Sequence, residues 1–161
     1  MRKILLGTLI YLFFASLAFA QEKNSCGMNL FGFSNHEGGK KGKNEENYGL
    51  GLRCTINKNI GLGFKPILEA DIIRNSQRGE AIVFGVGLEN HALFRLGSFS
   101  FGGGGVLAYI SYENPRIKKT VHEWTPIIFL SATYNDWLSL NAIPLPDHKA
   151  WLYSLTFKHV F

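Results

Sequence analysis

The stretch that decides the fold is Trp-Leu-Tyr-Ser-Leu-Thr-Phe-Lys-His-Val-Phe, residues 151–161. Its large apolar residues recur at alternate positions, and polar residues fill most of the positions between them: Trp151, Tyr153, Leu155, Phe157 and Phe161 alternate with Ser154, Thr156 and Lys158. Side chains that alternate in this way point to opposite faces of a β-strand. The stretch therefore predicts a strand with one apolar face and one polar face.

The N-terminus has the features of a secretory signal peptide. Arg2 and Lys3 precede an apolar segment at residues 4–17, and Ala18-Phe19-Ala20 forms a small-x-small cleavage site. We expect residues 1–20 to be a signal peptide and residues 21–161 to form one mildly basic domain. An uncleaved membrane anchor is the alternative, but an anchor needs about 20 apolar residues and this segment is shorter.

The same alternation recurs along the rest of the chain. Residues 48–56 and 60–72 show it most clearly, and Lys65, Glu69 and Asp71 share the polar face of the second segment. The other candidate strands are residues 28–36, 80–89, 98–112, 124–134 and 137–144, which with the C-terminal strand make eight. Because no long apolar segment follows residue 20, only strands that close into a barrel could cross a bilayer. Closed bacterial barrels have an even number of strands, which eight satisfies.

We therefore predict an all-β, eight-stranded antiparallel transmembrane barrel in a Gram-negative outer membrane. Residues 57–59 and 135–136 are expected to be tight periplasmic turns, and the long polar segments 37–47 and 113–123 to be extracellular loops. Residues 90–97 form a longer periplasmic connection in this register. A soluble β-sandwich also alternates, but it turns its apolar faces inward and would rarely place so many aromatic residues outside.

The glycine-rich fourth and fifth strands indicate what the barrel encloses. If the large residues at 82, 84, 86 and 88 face lipid, then Gly85 and Gly87 face the lumen, joined by Gly103 and Gly105 from the run at 102–105. A lumen lined in this way leaves an apolar slot, and a barrel of this size holds at most one small ligand. Alternatively, the glycines relieve crowding and let a small barrel bend.

Candidate chemistry lies at the extracellular rim. With Phe31 and Phe33 directed outward, Leu30, Gly32, Ser34 and His36 face the lumen, so that His36 ends its strand where a general base is useful. Ser76 lies two strands away, and a neighbouring imidazole is the usual group that activates a serine hydroxyl. Taken alone, Asn75-Ser76 is an ordinary turn dipeptide.

Several short motifs at this rim resemble the PagP family of lipid A palmitoyltransferases. The motifs are Phe33-Ser34-Asn35-His36, Asn44-Glu45-Glu46-Asn47-Tyr48-Gly49-Leu50-Gly51-Leu52, Arg74-Asn75-Ser76 and Ala142-Ile143-Pro144. The resemblance implies a monomeric, cofactor-free acyltransferase that moves a palmitoyl chain from a phospholipid donor to lipid A.

The same resemblance assigns roles to individual residues. It implies that His36 and Ser76 are catalytic and that Asn75 stands where the family has an acid. It also implies that the donor acyl chain lies within the barrel and enters where Pro126 and Pro144 interrupt strand pairing. The amphipathic helix of the better-known members has no counterpart, because residues 21–27 are too few to form it.

Charged and sulfur-containing residues add further expectations. Lys40, Lys41, Arg116 and Lys118 fall in predicted outer loops, where they either bind phosphorylated lipid or form ordinary solvated charge runs. Cys26 and Cys54 lie near each other in an oxidising compartment, but the predicted register turns their side chains to opposite faces. No metal-ligand spacing, nucleotide loop or nucleic-acid signature is present.

Two other classes of function compete with the acyltransferase. A non-enzymatic barrel, either structural or adhesive or a narrow solute conduit, explains Arg53, Lys65, Glu69 and Asp71 as an internal salt-bridge network. A lipid A deacylase would need an acidic partner for His36 and Ser76, and the sequence offers no clear candidate.

Overall fold

The computed structural model describes residues 24–36, 46–74, 79–114, 119–145 and 150–160. Eight antiparallel strands form one closed barrel in sequence order, which confirms the predicted fold class. The strands are β1 (Ser25–His36), β2 (Gly49–Thr55), β3 (Lys65–Arg74), β4 (Glu80–Leu96), β5 (Phe99–Asn114), β6 (Lys119–Tyr134), β7 (Leu138–Leu145) and β8 (Ala150–Val160). Among the described residues, no helix has the length and apolar character needed to cross a membrane.

The barrel wall is apolar outside and largely polar inside. Exposed apolar side chains cover the exterior on most strands, among them Phe33, Leu50, Leu68, Val86, Leu107, Ile128, Leu130 and Leu140. Buried polar side chains include Asn29, Thr133, Asn141 and Thr156. This inverts the arrangement of a soluble sandwich and is the arrangement of a barrel that spans an outer membrane.

A β-bulge divides the first strand into two halves of opposite parity. The pairing of β1 with β8 shifts between Phe31 and Phe33, and such a shift moves every following side chain to the other face. Ser34 is buried as predicted, whereas Phe31 is buried and Leu30 is exposed. The prediction of one continuous alternation is therefore wrong on the periplasmic side of Gly32, which is the extra residue.

The bulge also accounts for a disulfide bond between the first two strands. Cys26 and Cys54 lie directly opposite each other in the β1–β2 register and are bonded. Before the bulge, Cys26 has the outward parity of Leu30, and Cys54 has the outward parity of Leu50 on β2. The sequence-based argument against this pair is wrong because it carried the parity of His36 back through the bulge.

The connection between β2 and β3 is longer than the predicted turn at residues 57–59. Gly61, Leu62 and Gly63 have positive φ angles, and the Ile60 amide donates to the Phe64 carbonyl. Positive φ is incompatible with a β-strand. Residues 60–64 are therefore a turn, and the predicted strand 60–72 in fact begins at Lys65.

The fourth strand continues through the segment predicted as a connection, residues 90–97. β4 ends at Leu96, and only Gly97 and Ser98 separate it from β5. The register of the two strands is irregular between Asn90 and Phe94, which obscured the alternation. By contrast, the predicted tight turn at residues 135–136 is confirmed, since Asn135 and Asp136 both have positive φ angles, as a hairpin turn requires.

The wall is not equally continuous on all sides. The β5 and β6 strands pair over their whole length, from Phe99 opposite Tyr134 to Asn114 opposite Lys119. The pairing of β6 with β7 ends at Leu130 opposite Ala142. The extracellular half of β6 therefore has β5 beside it but no paired residue of β7.

Candidate functional site

The periplasmic half of the bore holds a network of buried charged and amide side chains. Arg53 on β2 forms an ion pair with Glu69 on β3, with an Nη2 to Oε2 distance of 2.6 Å, and its Nε also donates to Glu69 at 2.7 Å. Both side chains are nearly inaccessible to solvent. Both contacts end on the same oxygen, Oε2, so two nitrogens of the guanidinium hold one carboxylate oxygen.

Amide and hydroxyl side chains extend this network around the barrel. Asn29 on β1 donates to Asp71 at 3.1 Å and accepts from Thr156 on β8 at 2.7 Å. Asn141 on β7 donates to Thr156 at 2.8 Å. The contacts link β3 to β1 past the intervening β2, and they link the adjacent pairs β1–β8 and β8–β7 in addition to their backbone pairing.

Two further contacts cross the bore. The Arg53 guanidinium lies 4.4 Å from the centre of the Phe129 ring, and Lys158 contacts the His91 ring at 2.8 and 2.9 Å. In a closed ring of eight strands, β2 lies opposite β6 and β4 lies opposite β8. Glu89 on β4 binds both His91 and Thr55. Side chains from opposite walls therefore meet across this half of the barrel.

A cavity of about 240 Å³ occupies the extracellular half. Its lining is mainly apolar and includes Phe31, Val83, Val106, Ile127, Phe129 and Ile143. Arg53, Glu69 and Asp71 also line it, and they belong to the polar network that closes the bore below. Arg74, Tyr112 and Glu123 line it near the ends of their strands, on the extracellular side.

Three buried polar atoms have no hydrogen-bond partner among the groups that the structure describes. They are Asp71 Oδ2, Glu89 Oε2 and Ser131 Oγ. Asp71 also lines the cavity, and its side chain is only 3% exposed. An unpaired acceptor buried next to an apolar space is costly, which distinguishes Asp71 from the other polar residues that line this cavity.

The predicted catalytic residues are not brought together by the described part of the chain. The backbone of His36 pairs with Ala150 at the extracellular end of β1. Asn75 and Ser76 lie outside the described residues, so their distance from His36 stays a prediction. Lys40, Lys41, Arg116 and Lys118 also lie outside those residues.

The four glycines that were expected to line the lumen divide into two pairs. Gly85 and Gly87 share the inward parity of Val83, whereas Gly103 and Gly105 share the outward parity of the exposed Leu107. The lumen placement predicted for Gly103 and Gly105 is therefore wrong.

The inward pair fits the alternative that glycines relieve crowding. A Cβ atom on Gly85 would lie 2.2 Å from Val106 Cγ1, and one on Gly87 would lie 2.1 Å from the Gly105 carbonyl oxygen. The space beside each of these two glycines is occupied by β5. The absence of a side chain therefore lets β4 and β5 approach closely and does not leave an open slot.

The two prolines lie on either side of the interrupted β6–β7 pairing. Pro126 is exposed on β6 and Pro144 is half-buried on β7, both beyond the last paired residues, Leu130 and Ala142. Proline has no amide hydrogen to donate to a neighbouring strand, which is consistent with the end of the pairing here.

Sequence reasoning identified part of the polar network and missed the rest. Arg53 and Glu69 are joined as the internal-network alternative predicted, but Lys65 donates to Asn57 at the periplasmic mouth instead. His91 was missed because residues 90–97 were assigned to a connection. The contact between His91 and Lys158 could have been anticipated from the sequence, because Lys158 has inward parity in the C-terminal strand.

Comparison with solved structures finds outer-membrane proteins among the similar chains. The outer membrane protein Ail of Yersinia pestis, in a phospholipid bilayer nanodisc, is 13% identical with a TM-score of 0.48, covering 86% of this chain and 100% of that chain. A crystal structure of Ail, the attachment invasion locus protein of Yersinia pestis, is 11% identical with a TM-score of 0.42, covering 85% and 97%. No family model and no curated protein matches the chain.

These findings correct the functional prediction. The similar structures are Ail barrels and not lipid A palmitoyltransferases, so the predicted PagP resemblance is wrong, as is the acyltransferase activity inferred from it. The roles of the phospholipid donor, the lipid A acceptor and the proline gates depended on that resemblance and are not retained. At TM-scores below 0.5 we carry no property of Ail over to this chain. The chain is an outer-membrane β-barrel, as its closed wall and apolar exterior require.

Proposed function

We propose that this chain is a non-enzymatic outer-membrane barrel that acts as an attachment protein at the cell surface. The observation that carries the proposal is the pair of contacts that cross the periplasmic half of the bore. Arg53 meets Phe129 and Lys158 meets His91 across it, so side chains from opposite walls obstruct the bore there. This disfavours the solute-conduit alternative and leaves the external surface as the functional part.

The β5–β6 hairpin is the part of that surface best suited to contact a partner. Its strands stay paired as far as Asn114 opposite Lys119, while β6 has no paired residue of β7 beyond Leu130. Lys119, Thr120, His122, Glu123 and Trp124 are exposed. A paired hairpin presents these groups on a stable backbone, which reduces the entropy lost on binding.

The sequence at the end of this hairpin indicates the chemistry of the partner. Arg116, Lys118 and Lys119 lie within four residues of one another, and clustered cations attract anionic ligands from solution. We therefore propose an acidic polysaccharide as the partner. At the cell surface such a contact would be weakened by salt, because exposed charges are screened.

Binding of cells to immobilised heparin tests this proposal. Gram-negative cells producing the full chain should adhere more than cells without it, and less at high salt. If each cation contributes roughly 0.5 kcal/mol, the triple variant Arg116→Glu, Lys118→Glu, Lys119→Glu should bind about tenfold more weakly.

A matched control reverses charges on the periplasmic side instead, in Lys58→Glu with Arg95→Glu, and should leave adhesion unchanged. Equal adhesion by the triple variant and the parent chain would refute the proposed surface. Ion conductance of the purified chain in a planar bilayer would refute the obstructed bore and restore the conduit alternative.

A further inference from the structure

The extracellular cavity has properties that attachment through the outer hairpin does not use. Its volume is about 240 Å³, whereas a cavity of about 150 Å³ is enough to hold benzene. The space therefore accommodates an aromatic ring with a short side chain.

The floor of the cavity provides one specific polar contact. Asp71 Oδ2 has no partner among the described groups, and the other carboxylate oxygen of Asp71 accepts from Asn29 at 3.1 Å. The nearest buried cation, Arg53, is held by Glu69 through two contacts. Among the described residues, Asp71 therefore has an amide donor but no cation bonded to it.

The buried charges around the floor favour a cationic ligand. Glu69 and Asp71 lie on the same inward face of β3, and among the described residues Arg53 is the cation bonded to this pair. A positively charged hydrogen-bond donor would satisfy the free oxygen and balance the second carboxylate. Charge-assisted hydrogen bonds of this kind are about twice as strong as neutral ones.

We propose that this cavity is a binding site for a small arylalkylamine, with its ammonium group on Asp71 and its ring among the apolar side chains above. Phe31, Val83 and Ile143 contact the ring, and Arg53 stays paired with Glu69. The ligand enters from the extracellular end, where Arg74, Tyr112 and Glu123 line the cavity. Glu123 belongs both to this lining and to the β5–β6 attachment surface, but the cations of that surface take no part in the site.

Three ligands of nearly equal size separate the contributions of charge, hydrogen bonding and apolar contact. They are 2-phenylethylamine, 2-phenylethanol and propylbenzene, titrated calorimetrically into the full chain in phosphatidylcholine vesicles, with empty vesicles as the reference. We expect the amine to bind at least about tenfold more tightly than propylbenzene, with the alcohol between them.

Two variants test the assignment of the residues. Asp71→Asn should weaken the amine about tenfold or more and change the alcohol much less. Val83→Trp should abolish binding of all three, because the larger side chain fills the cavity. Ala81→Phe provides a second filling variant if Val83→Trp does not fold, and Leu107→Trp on the outward face of β5 is the matched control.

Three results would overturn the proposal: no saturable binding of the amine, equal affinities for the amine and propylbenzene, or an amine affinity unaffected by Asp71→Asn. Loss of heparin adhesion in the hairpin variant with amine binding retained would show that the two surfaces act separately. Unchanged urea unfolding midpoints would verify that each variant is folded.

Discussion

The disulfide between Cys26 and Cys54 allows a stability prediction with a calculable size. The bond joins residues separated by 28 positions, and a cross-link removes loop-closure entropy from the unfolded chain. For a loop of this length the chain-entropy relation gives about 12 cal/mol/K, or about 3.5 kcal/mol at 25 °C. The double variant Cys26→Ser, Cys54→Ser should lose about this much free energy of unfolding.

Urea unfolding in phosphatidylcholine vesicles measures the difference. Tryptophan fluorescence and the migration of unheated samples on gels report the folded fraction, and oxidised parent, reduced parent and double variant are compared at equilibrium. The reduced parent should match the double variant, and reductant should not affect the double variant. Either serine variant alone should be as unstable as both together, since each removes the same bond.

The reasoning fails if oxidised parent and double variant differ by less than about 1 kcal/mol, well below the range typical of native disulfides. It also fails if reductant leaves the parent unchanged. In that event the two thiols are not bonded, and the outward parity that the bulge gives to Cys26 is wrong. The comparison therefore tests the register of β1 as well as the stability of the barrel.

Three further substitutions, two of them with a comparison variant, test other features by the same unfolding assay. Arg53→Ala leaves the buried Glu69 carboxylate without its cation and should lower the free energy of unfolding by about 3–5 kcal/mol. Arg95→Ala breaks the exposed pair with Asp136, whose separation is 3.5 Å, and should lower it by less than about 1 kcal/mol. Thr156→Val removes two buried hydrogen bonds at constant shape and should cost about 1–3 kcal/mol; no loss would show that the network is not stabilising. Gly87→Ala places a methyl group 2.1 Å from a backbone oxygen and should lower the free energy of unfolding by about 1–3 kcal/mol. The methyl group of Gly32→Ala would have no atom within 4 Å, so this variant should stay within about 0.5 kcal/mol of the parent. Equal effects of the two substitutions would contradict the close approach of β4 and β5.

The fold was predictable because membrane strands carry their two faces in the sequence. Phe84, Val86 and Leu88 face outward and Ala81 and Val83 inward, as simple alternation requires. The number of strands follows from counting such segments. Lipid outside and side chains packed inside impose the same two-residue period on every strand. The alternation rule alone therefore predicted most of the strands.

Departures from the rule occur where the backbone is irregular. The bulge at Gly32 inserts one residue into β1, and the irregular pairing between Asn90 and Phe94 interrupts β4. Neither irregularity produces a repeating sequence pattern from which it could be predicted. Leu62 adopts a positive φ although its position fits the alternation, because the turn geometry overrides the preference of a single side chain.

The site was harder to predict than the fold because it depends on which side chains meet across the bore. Arg53 and Glu69 lie on adjacent strands, so alternation alone placed them together. Lys158 and His91 lie on opposite strands, and their contact depends on the diameter and stagger of the closed barrel. The function inferred from short rim motifs was wrong, since such motifs occur in turns and strand ends for conformational reasons.

The contacts of Arg53 with Phe129 and of Lys158 with His91 also affect how the molecule deforms. They join opposite walls along two crossing diameters, and so they resist flattening of the cylinder into an ellipse when the bilayer compresses it laterally. The extracellular half encloses the cavity and has an interrupted β6–β7 pairing. Shape fluctuations should therefore be concentrated at the outer mouth, and hydrogen exchange should be fastest in the amides of β6 and β7 beyond Leu130 and Ala142.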